Sequence, residues 1–282
     1  MAAAGARCHH GGQSFHEASP HANGRETFGR HCGSLRPGRL LLARGIYSEA
    51  TLRELEEDFD RVVTQLKRSG QNINARWRGE SVDALDGGAS TVIHTHNIQR
   101  YSARWLRALQ DQRLLEVVQA ILGPDVILHH TKLFQKPPLA GSPFPVHQDW
   151  WYFPTRHDTM IAAVIFLSDT DDRTGGFRIY PGSHKLGRMQ QSSGLQASES
   201  LRRYPLEGAT PIEAHRGDIL FFSYFTLHGS SSNRSERIRK TVLLQMYSGA
   251  DCVLDNPLVN HVNEQLVLAG WNHHMTRDLA NK

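Results

Sequence analysis

The chain is poor in cysteine. Among its 282 residues only Cys8, Cys32 and Cys252 carry thiols, far apart and without a CxxC pair. This argues against a disulfide framework or a structural zinc knot and points to a reducing compartment, cytoplasmic by default, with organellar targeting left open. The chain also lacks any run of about 18 apolar residues, so no membrane-spanning helix is expected. Its longest apolar stretches, such as Met160 to Leu167, have the length of a strand. A basic stripe is missing as well: the net charge is +4, but Lys and Arg are interleaved with Asp and Glu. A nucleic-acid partner is therefore not expected, and a small-molecule substrate is; oligomeric state stays open. With 39% hydrophobic and 21% charged residues, the composition is that of an ordinary globular protein. A chain of this size buries enough surface to stand as one unit without staples.

Residues 1–35 differ from the rest. They hold His9, His10, His16, His21 and His31 among Gly, Ser and Ala, with almost no periodic apolar residues. Such a segment cannot bury enough surface to offset its ordering entropy, so it is expected to be a disordered tail. Residues 36–282 are expected to form a single domain. Leu40 to Ile46 suggests an opening strand, and Ser48 to Arg68 a helix capped by a Thr51-Leu52-Arg53-Glu54 box, with Leu52, Leu55, Phe59, Val62, Val63 and Leu66 inward. A second helix is predicted from Ala103 to Leu122, with Trp105, Leu109, Leu115, Val118, Ile121 and Leu122 inward. Beyond Val126 the period changes to strands, predicted at 126–134, 160–167, 177–180, 219–225 and 240–247. Helices first and short strands after describe an α+β, mainly β chain, with a helical layer on a double-sheet jelly roll. The polar, Ser-rich stretch Gln190 to Pro211 is a candidate lid.

Val146-His147-Gln148-Asp149-Trp150 places an imidazole and a carboxylate on alternate residues, which share a face in extended backbone. His228 ends a buried apolar run, Phe221 to Leu227. Two histidines and a carboxylate suit an octahedral Fe(II) with three positions open. In a chain with 17 histidines such a triplet also arises by chance, and a histidine at a strand end is usually structural. Arg239 follows a predicted hairpin loop over 229–236, and the returning strand is expected beside the one bearing His228, aiming the guanidinium into the pocket to clamp a carboxylate. Its alternative is a solvated arginine in a basic hairpin. His184 and the Arg216-Gly217-Asp218 triplet read as turn residues, and Trp150 to Phe153 as either pocket wall or core.

In their order, Lys136-Pro137-Pro138, His147-Gln148-Asp149, Tyr152-Phe153-Pro154, the 175–184 stretch ending Pro181-Gly182-Ser183-His184, Arg216-Gly217-Asp218, and His228-Gly229-Ser230 with Asn233, Ser235 and Arg239 resemble the phytanoyl-CoA dioxygenase family of Fe(II)/2-oxoglutarate oxygenases. The likeness runs from Leu40 to Tyr247. It implies a double-stranded β-helix (jelly roll, cupin-like) with N-terminal helices packed on one sheet. It also implies Fe(II) on His147, Asp149 and His228, the distal carboxylate of 2-oxoglutarate on Arg239, Ser230 and Lys136 as further cosubstrate contacts, O2 as co-reactant and ascorbate as a stimulant. The implied reaction is hydroxylation of an unactivated C–H of a small organic molecule, acyl-CoA or natural-product-like, with release of succinate and CO2. Retention of Asp149 favours hydroxylation over halogenation. The same chemistry can end in desaturation, ring closure or epimerisation, and a jelly-roll binding module without turnover is the reading from another class. A zinc hydrolase fits poorly, since catalytic zinc more often takes three histidines, or two with a glutamate. The C-terminal Leu-Ala-Asn-Lys is not a peroxisomal Ser-Lys-Leu address, so the acyl-CoA substrate is not inherited automatically with the family and stays one of the two classes.

Overall fold

The computed structural model describes residues 40–77, 83, 90–189, 202–256 and 263–281. The histidine-bearing tail over 1–35 and the first part of the candidate lid, 190–201, lie outside the described residues.

Helix α1 (Glu49–Arg68) buries the six apolar residues its period calls for. Its cap is Ser48, not Thr51: Ser48, in extended backbone, accepts the Thr51 N–H at 3.1 Å, which satisfies a donor the helix itself cannot. The long helix expected over 103–122 is two helices, α2 (Ala103–Ala108) and α3 (Gln112–Leu122). Asp111 causes the break, because its carboxylate accepts the N–H groups of Arg113 and Leu114 and starts a new helix. The restart turns Leu114, Val117 and Val118 inward and leaves Leu115, Ile121 and Leu122 half-buried. Trp105 is wholly buried, and its indole N–H donates to the Leu55 carbonyl at 3.2 Å, fastening α2 to α1.

The strands are β1 (Leu41–Ala43), β2 (Ile93–His96), β3 (Val126–Lys136), β4 (Phe144–His147), β5 (Ile161–Phe166), β6 (Phe177–Ile179), β7 (Thr210–Pro211), β8 (Ile219–Ser223), β9 (His228–Ser230), β10 (Arg239–Ser248) and β11 (Leu266–Ala269). Among the described residues they form two antiparallel sheets. The larger has the order β1-β8-β5-β10-β3-β11 with β2 also on β3; the smaller is β4-β9-β6-β7. β7 and the 3-10 turn Leu206–Gly208 place the end of the candidate lid on the edge of the smaller sheet, so 206–211 is built into the sandwich.

β5 shows why its sequence is apolar without alternation. Ile161, Ala163 and Ile165 pack with the helices, while Ala162, Val164 and Phe166 pack with Ile179, Ile212 and Ala214 on the side of the smaller sheet. A strand covered on both faces reads as a continuous hydrophobic run. β10 divides its faces differently: Val242, Leu244 and Met246 join the helix-side core, so Arg239, Thr241, Leu243 and Gln245 face the sandwich interior. β3 does the same through a bulge at His129, where Gln245 pairs with His130 and Met246 with Leu128. The extra residue lets Val126 and Leu128 point to the helices while His130, Lys132, Phe134 and Lys136 point inward.

Trp105→Ala removes the side chain that joins α1 and α2 and should lower stability by about 3–5 kcal/mol. Urea denaturation measures this; a loss under about 1 kcal/mol would show that the helical layer does not depend on Trp105.

Candidate metal and anion site

β4 and β9 bring the predicted triplet together. His147 closes β4, His228 opens β9, and the two are register partners. Gln148 is extended and Asp149 begins a single 3-10 turn, so the carboxylate swings back towards His147. One Asp149 oxygen lies 3.5 Å from His147 Nε2 and 3.8 Å from His228 Nε2. The three candidate ligand atoms all lie within 4.8 Å of one another.

Backbone carbonyls set the two imidazoles. His147 Nδ1 is 2.8 Å from the Pro145 oxygen and His228 Nδ1 is 2.9 Å from that of Thr226. A carbonyl only accepts, so each Nδ1 carries the proton and each Nε2 offers its lone pair at Asp149. The other Asp149 oxygen accepts from Gln245 Nε2 at 2.6 Å. Burial would raise the Asp149 carboxyl, but the fields of His228 and His147 and the bond from Gln245 hold it down at about 2. Burial, aided by His147, lowers His228 to about 4. At neutral pH the pair is thus a carboxylate and a neutral imidazole, the states a divalent ion needs. Gln148 points the opposite way and clamps the turn: it donates to the carbonyls of Gly187 and Phe225 at 2.9 and 2.6 Å and accepts from Trp150 Nε1 and Met189 N at 2.7 and 3.0 Å.

The expected hairpin geometry for Arg239 is corrected. His228 lies on β9 in the smaller sheet, not at the end of the strand that precedes it, and Arg239 opens β10 in the larger one. Residues 231–238 therefore cross between sheets. Asn233 holds the crossing by donating to the carbonyls of Lys136 and Arg237 at 3.3 and 2.7 Å. Arg239 still reaches the interior, from the facing wall, with its guanidinium 4.9 Å from the Phe177 ring centre. Its Nη1 donates to the Gly175 carbonyl at 2.5 Å and its Nη2 to Thr241 Oγ1 at 3.1 Å, while Nε is buried with no partner. Lys136 is its cross-strand neighbour on β3. The ammonium donates to Ser230 Oγ at 2.7 Å, the Ser231 carbonyl at 2.6 Å and the Gly175 carbonyl at 3.3 Å. Arg239, Lys136 and Ser230, singled out from the sequence, thus lie together. Gly175 sits at φ +79°, and a Cβ there would come within 2.7 Å of the Ser231 oxygen, so only glycine brings its carbonyl between the two cations.

Among the described residues neither Arg239 nor Lys136 forms an ion pair, and both are buried. Burial pushes Arg239 down to about 9 and Lys136 well below its usual range, the latter aided by the charge of Arg239.

Several pocket residues escape sequence reading, Trp77 among them, which lies 4.7 Å from His147, ring centre to ring centre. Of the Trp150 to Phe153 stretch, Tyr152 lies 6.4 Å from the same ring. Phe153, by contrast, is core, packed with Ile127, Met160, Tyr224 and Tyr247. His94 and His96 on β2 pair with Phe134 and Lys132 on β3; the two-residue alternation of β2 was the available signal. The Arg216-Gly217-Asp218 triplet is a turn, with Arg216 paired to Glu49 and Glu56 on α1 and Asp218 accepting the His215 N–H. His184 is half-buried in the 3-10 turn Ser183–Leu186.

The lowered His228 gives the metal-free protein a signed pH response. Below about 6.5 the unfolded chain takes up a proton at this histidine, while the folded chain does so only near 4. The unfolded state binds more protons across that window, so stability falls as pH falls through it. With a chelator present, His228→Gln should flatten the urea-midpoint profile between pH 6.5 and 4 relative to wild type; equal slopes would remove His228 from this linkage.

The phytanoyl-CoA dioxygenase family model matches residues 38–241. The chain is similar to the peroxisomal phytanoyl-CoA dioxygenase of Bos taurus, 30% identical over 228 residues, covering 76% of this chain and 66% of that one. It is likewise 30% identical over 152 residues to a probable alpha-ketoglutarate-dependent hypophosphite dioxygenase of Stutzerimonas stutzeri, covering 51% of this chain and 52% of the relative. The chain thus spans about half the length of the second relative and just under two thirds of the first. Among solved structures, the epimerase SnoN in complex with Fe3+, alpha ketoglutarate and nogalamycin RO superposes with a TM-score of 0.65 at 16% identity, covering 87% of this chain and 96% of that one. EctD from S. alaskensis with bound Fe gives 0.62 at 18% identity, covering 86% and 83%. These structures share the cupin-like jelly roll. With the match extending over most of the described chain, the protein belongs to the phytanoyl-CoA dioxygenase family.

Proposed function

We propose that residues 36–282 form one oxygenase domain that holds Fe(II) on His147, Asp149 and His228 and seats 2-oxoglutarate between that ion and Arg239. Lys136 and Ser230 complete the far end of the cosubstrate site. The carrying observation is the charge left unmatched in the interior: Arg239 and Lys136 are buried side by side with no carboxylate among the described residues. Burying one unpaired cation is costly, and burying two together more so. A dianion that brings a carboxylate to this end and chelates a metal at the other removes the imbalance. The residues fit the metal as well, since two Nε2 lone pairs and one carboxylate oxygen converge and leave the remaining positions of an octahedral ion open.

Bound together, the iron, the oxoacid and O2 supply the oxidising power, with hydroxylation of a small organic C–H, succinate and CO2 as the outcome and ascorbate as a stimulant. The chain's own residues supply placement. Gln245 fixes which Asp149 oxygen faces the ion, the Pro145 and Thr226 carbonyls fix the imidazole tautomers, and Trp77 and Tyr152 shield the His147 side from water. The relatives' names, alpha-ketoglutarate-dependent among them, support the same reading. No helix among the described residues is long and apolar enough to cross a membrane, and Cys252 is a free thiol, which suits a reducing compartment.

Adding Fe(II) and 2-oxoglutarate without air should give the weak visible charge-transfer band of the chelate, and admitting air should yield succinate. Asp149→Ala should abolish the band. Arg239→Ala should weaken oxoacid binding by about 2–5 kcal/mol, as expected when one partner of a buried charge pair is removed. Gln245→Leu should lower metal affinity about 10–100-fold, as loss of a group orienting a ligand does. A folded wild-type protein with neither band nor succinate would instead be a binding module.

A further inference from the structure

The interior holds a third cation that the cosubstrate does not require. Lys132 lies on the same inward face of β3 as Lys136, opposite Leu243 on β10 and His96 on β2. The two lysines are four residues apart, so their backbones are separated by ~13 Å along the strand. Lys136 stands at the Arg239 end. Lys132 stands towards Gln245, which holds Asp149, and feels the field of that carboxylate. It is half-buried and makes no hydrogen bond or ion pair among the described residues.

Apart from the Asp149 carboxylate, the ionisable groups around Lys132 among the described residues are imidazoles. His94 is near enough for the two charges to repel, and its buried Nδ1 has no partner. The rings of His94 and His96 lie 5.4 Å apart, and those of His96 and His130 5.6 Å. The charges of the filled site do not balance. Arg239, Lys136, Lys132 and a divalent ion face only Asp149 and the two carboxylates of the oxoacid, which leaves positive charge over. A cationic substrate would enter against that excess and a neutral one would leave it in place; an anionic one cancels it.

We propose that Lys132, flanked by His94, His96 and His130, is the seat of an oxyanionic group (a phosphate or a carboxylate) on the primary substrate. The inference rests on the iron and 2-oxoglutarate reading, because that reading assigns the Arg239 end to the cosubstrate. The ammonium holds the anion by a charge-assisted hydrogen bond, and the imidazoles line the approach with N–H donors. The lysine is therefore a specificity residue, which binds substrate and takes no part in the oxidation.

The test compares wild type, Lys132→Met and Lys132→Arg, with Mn(II) and 2-oxoglutarate present so that the Arg239 end is filled. Inorganic phosphate and hexanoate are titrated separately against uncharged hexanamide, with tryptophan fluorescence as the readout. Wild type should bind at least one anion in preference to hexanamide, and the preferred anion identifies the group. Lys132→Met should weaken that anion about tenfold or more, the loss expected for one charge-assisted bond. Lys132→Arg should keep the binding, and the affinity for 2-oxoglutarate, titrated alone, should not change in either variant. No anion preference in wild type, equal anion affinity in Lys132→Met, or a loss that falls on 2-oxoglutarate instead would each overturn the proposal. If 2-oxoglutarate fails to bind wild type, the cosubstrate reading is what fails; an anion titration that still depends on Lys132 supports the present one.

Discussion

Two cations share one carbonyl, and much of the structure is arranged around that fact. Arg239 and Lys136 both donate to Gly175, sit across from each other on β10 and β3, and pair with no acid among the described residues. Left alone, such a pair works against folding. It persists because the opposite face of the same two strands is mostly apolar, with Lys240 at its end paired to Glu56 and Asp60 on α1. Val242, Leu244, Met246, Val126, Leu128 and Leu133 pack into the layer built by α1, α2 and α3. The helical layer thus anchors a sheet whose inner face is poor in stabilising contacts, and the molecule tolerates an interior designed for something to arrive.

At the other end of the pocket the balance is reversed. His147, Asp149 and His228 are heavily constrained, held respectively by Pro145, Gln245 and Thr226. Gln148 satisfies its full hydrogen-bonding capacity while turned away from the triplet. Its fixed side chain keeps residues 147 and 149 on a common side. Constrained side chains at one end and unmatched charge at the other together describe a site prepared in advance, so that binding costs little reorganisation.

What can be read from the chain follows from which physical signals are local. The HxD spacing, the capped amphipathic helix and the apolar strands are encoded within a few residues, and the metal triplet, Arg239, Ser230 and Lys136 come together as their order suggests. Asp111 is hidden because a carboxylate inside a helical period resembles any solvated residue until its cap bonds are seen. The route from His228 to Arg239 is illegible for a different reason. A loop rich in turn residues looks the same whether it closes a hairpin or crosses between sheets. Strands β2, β4 and β9 are three or four residues long, so that even the alternation of β2 is a weak signal, and with β2 go His94 and His96, two of the three imidazoles around Lys132.

The bulge at His129 separates β3 into two halves with opposite face assignments. Upstream of it the outward positions are Val126 and Leu128, which belong to the core; downstream the inward positions belong to the pocket. In evolutionary terms this partitions a single strand into a part fixed by packing and a part open to editing. Residues 130, 132 and 134 can be exchanged one at a time without disturbing the helical layer or the Lys136 end of the pocket. A family can then keep one scaffold and one oxidation chemistry while each lineage rewrites, at a few alternate positions, the charge of what it admits.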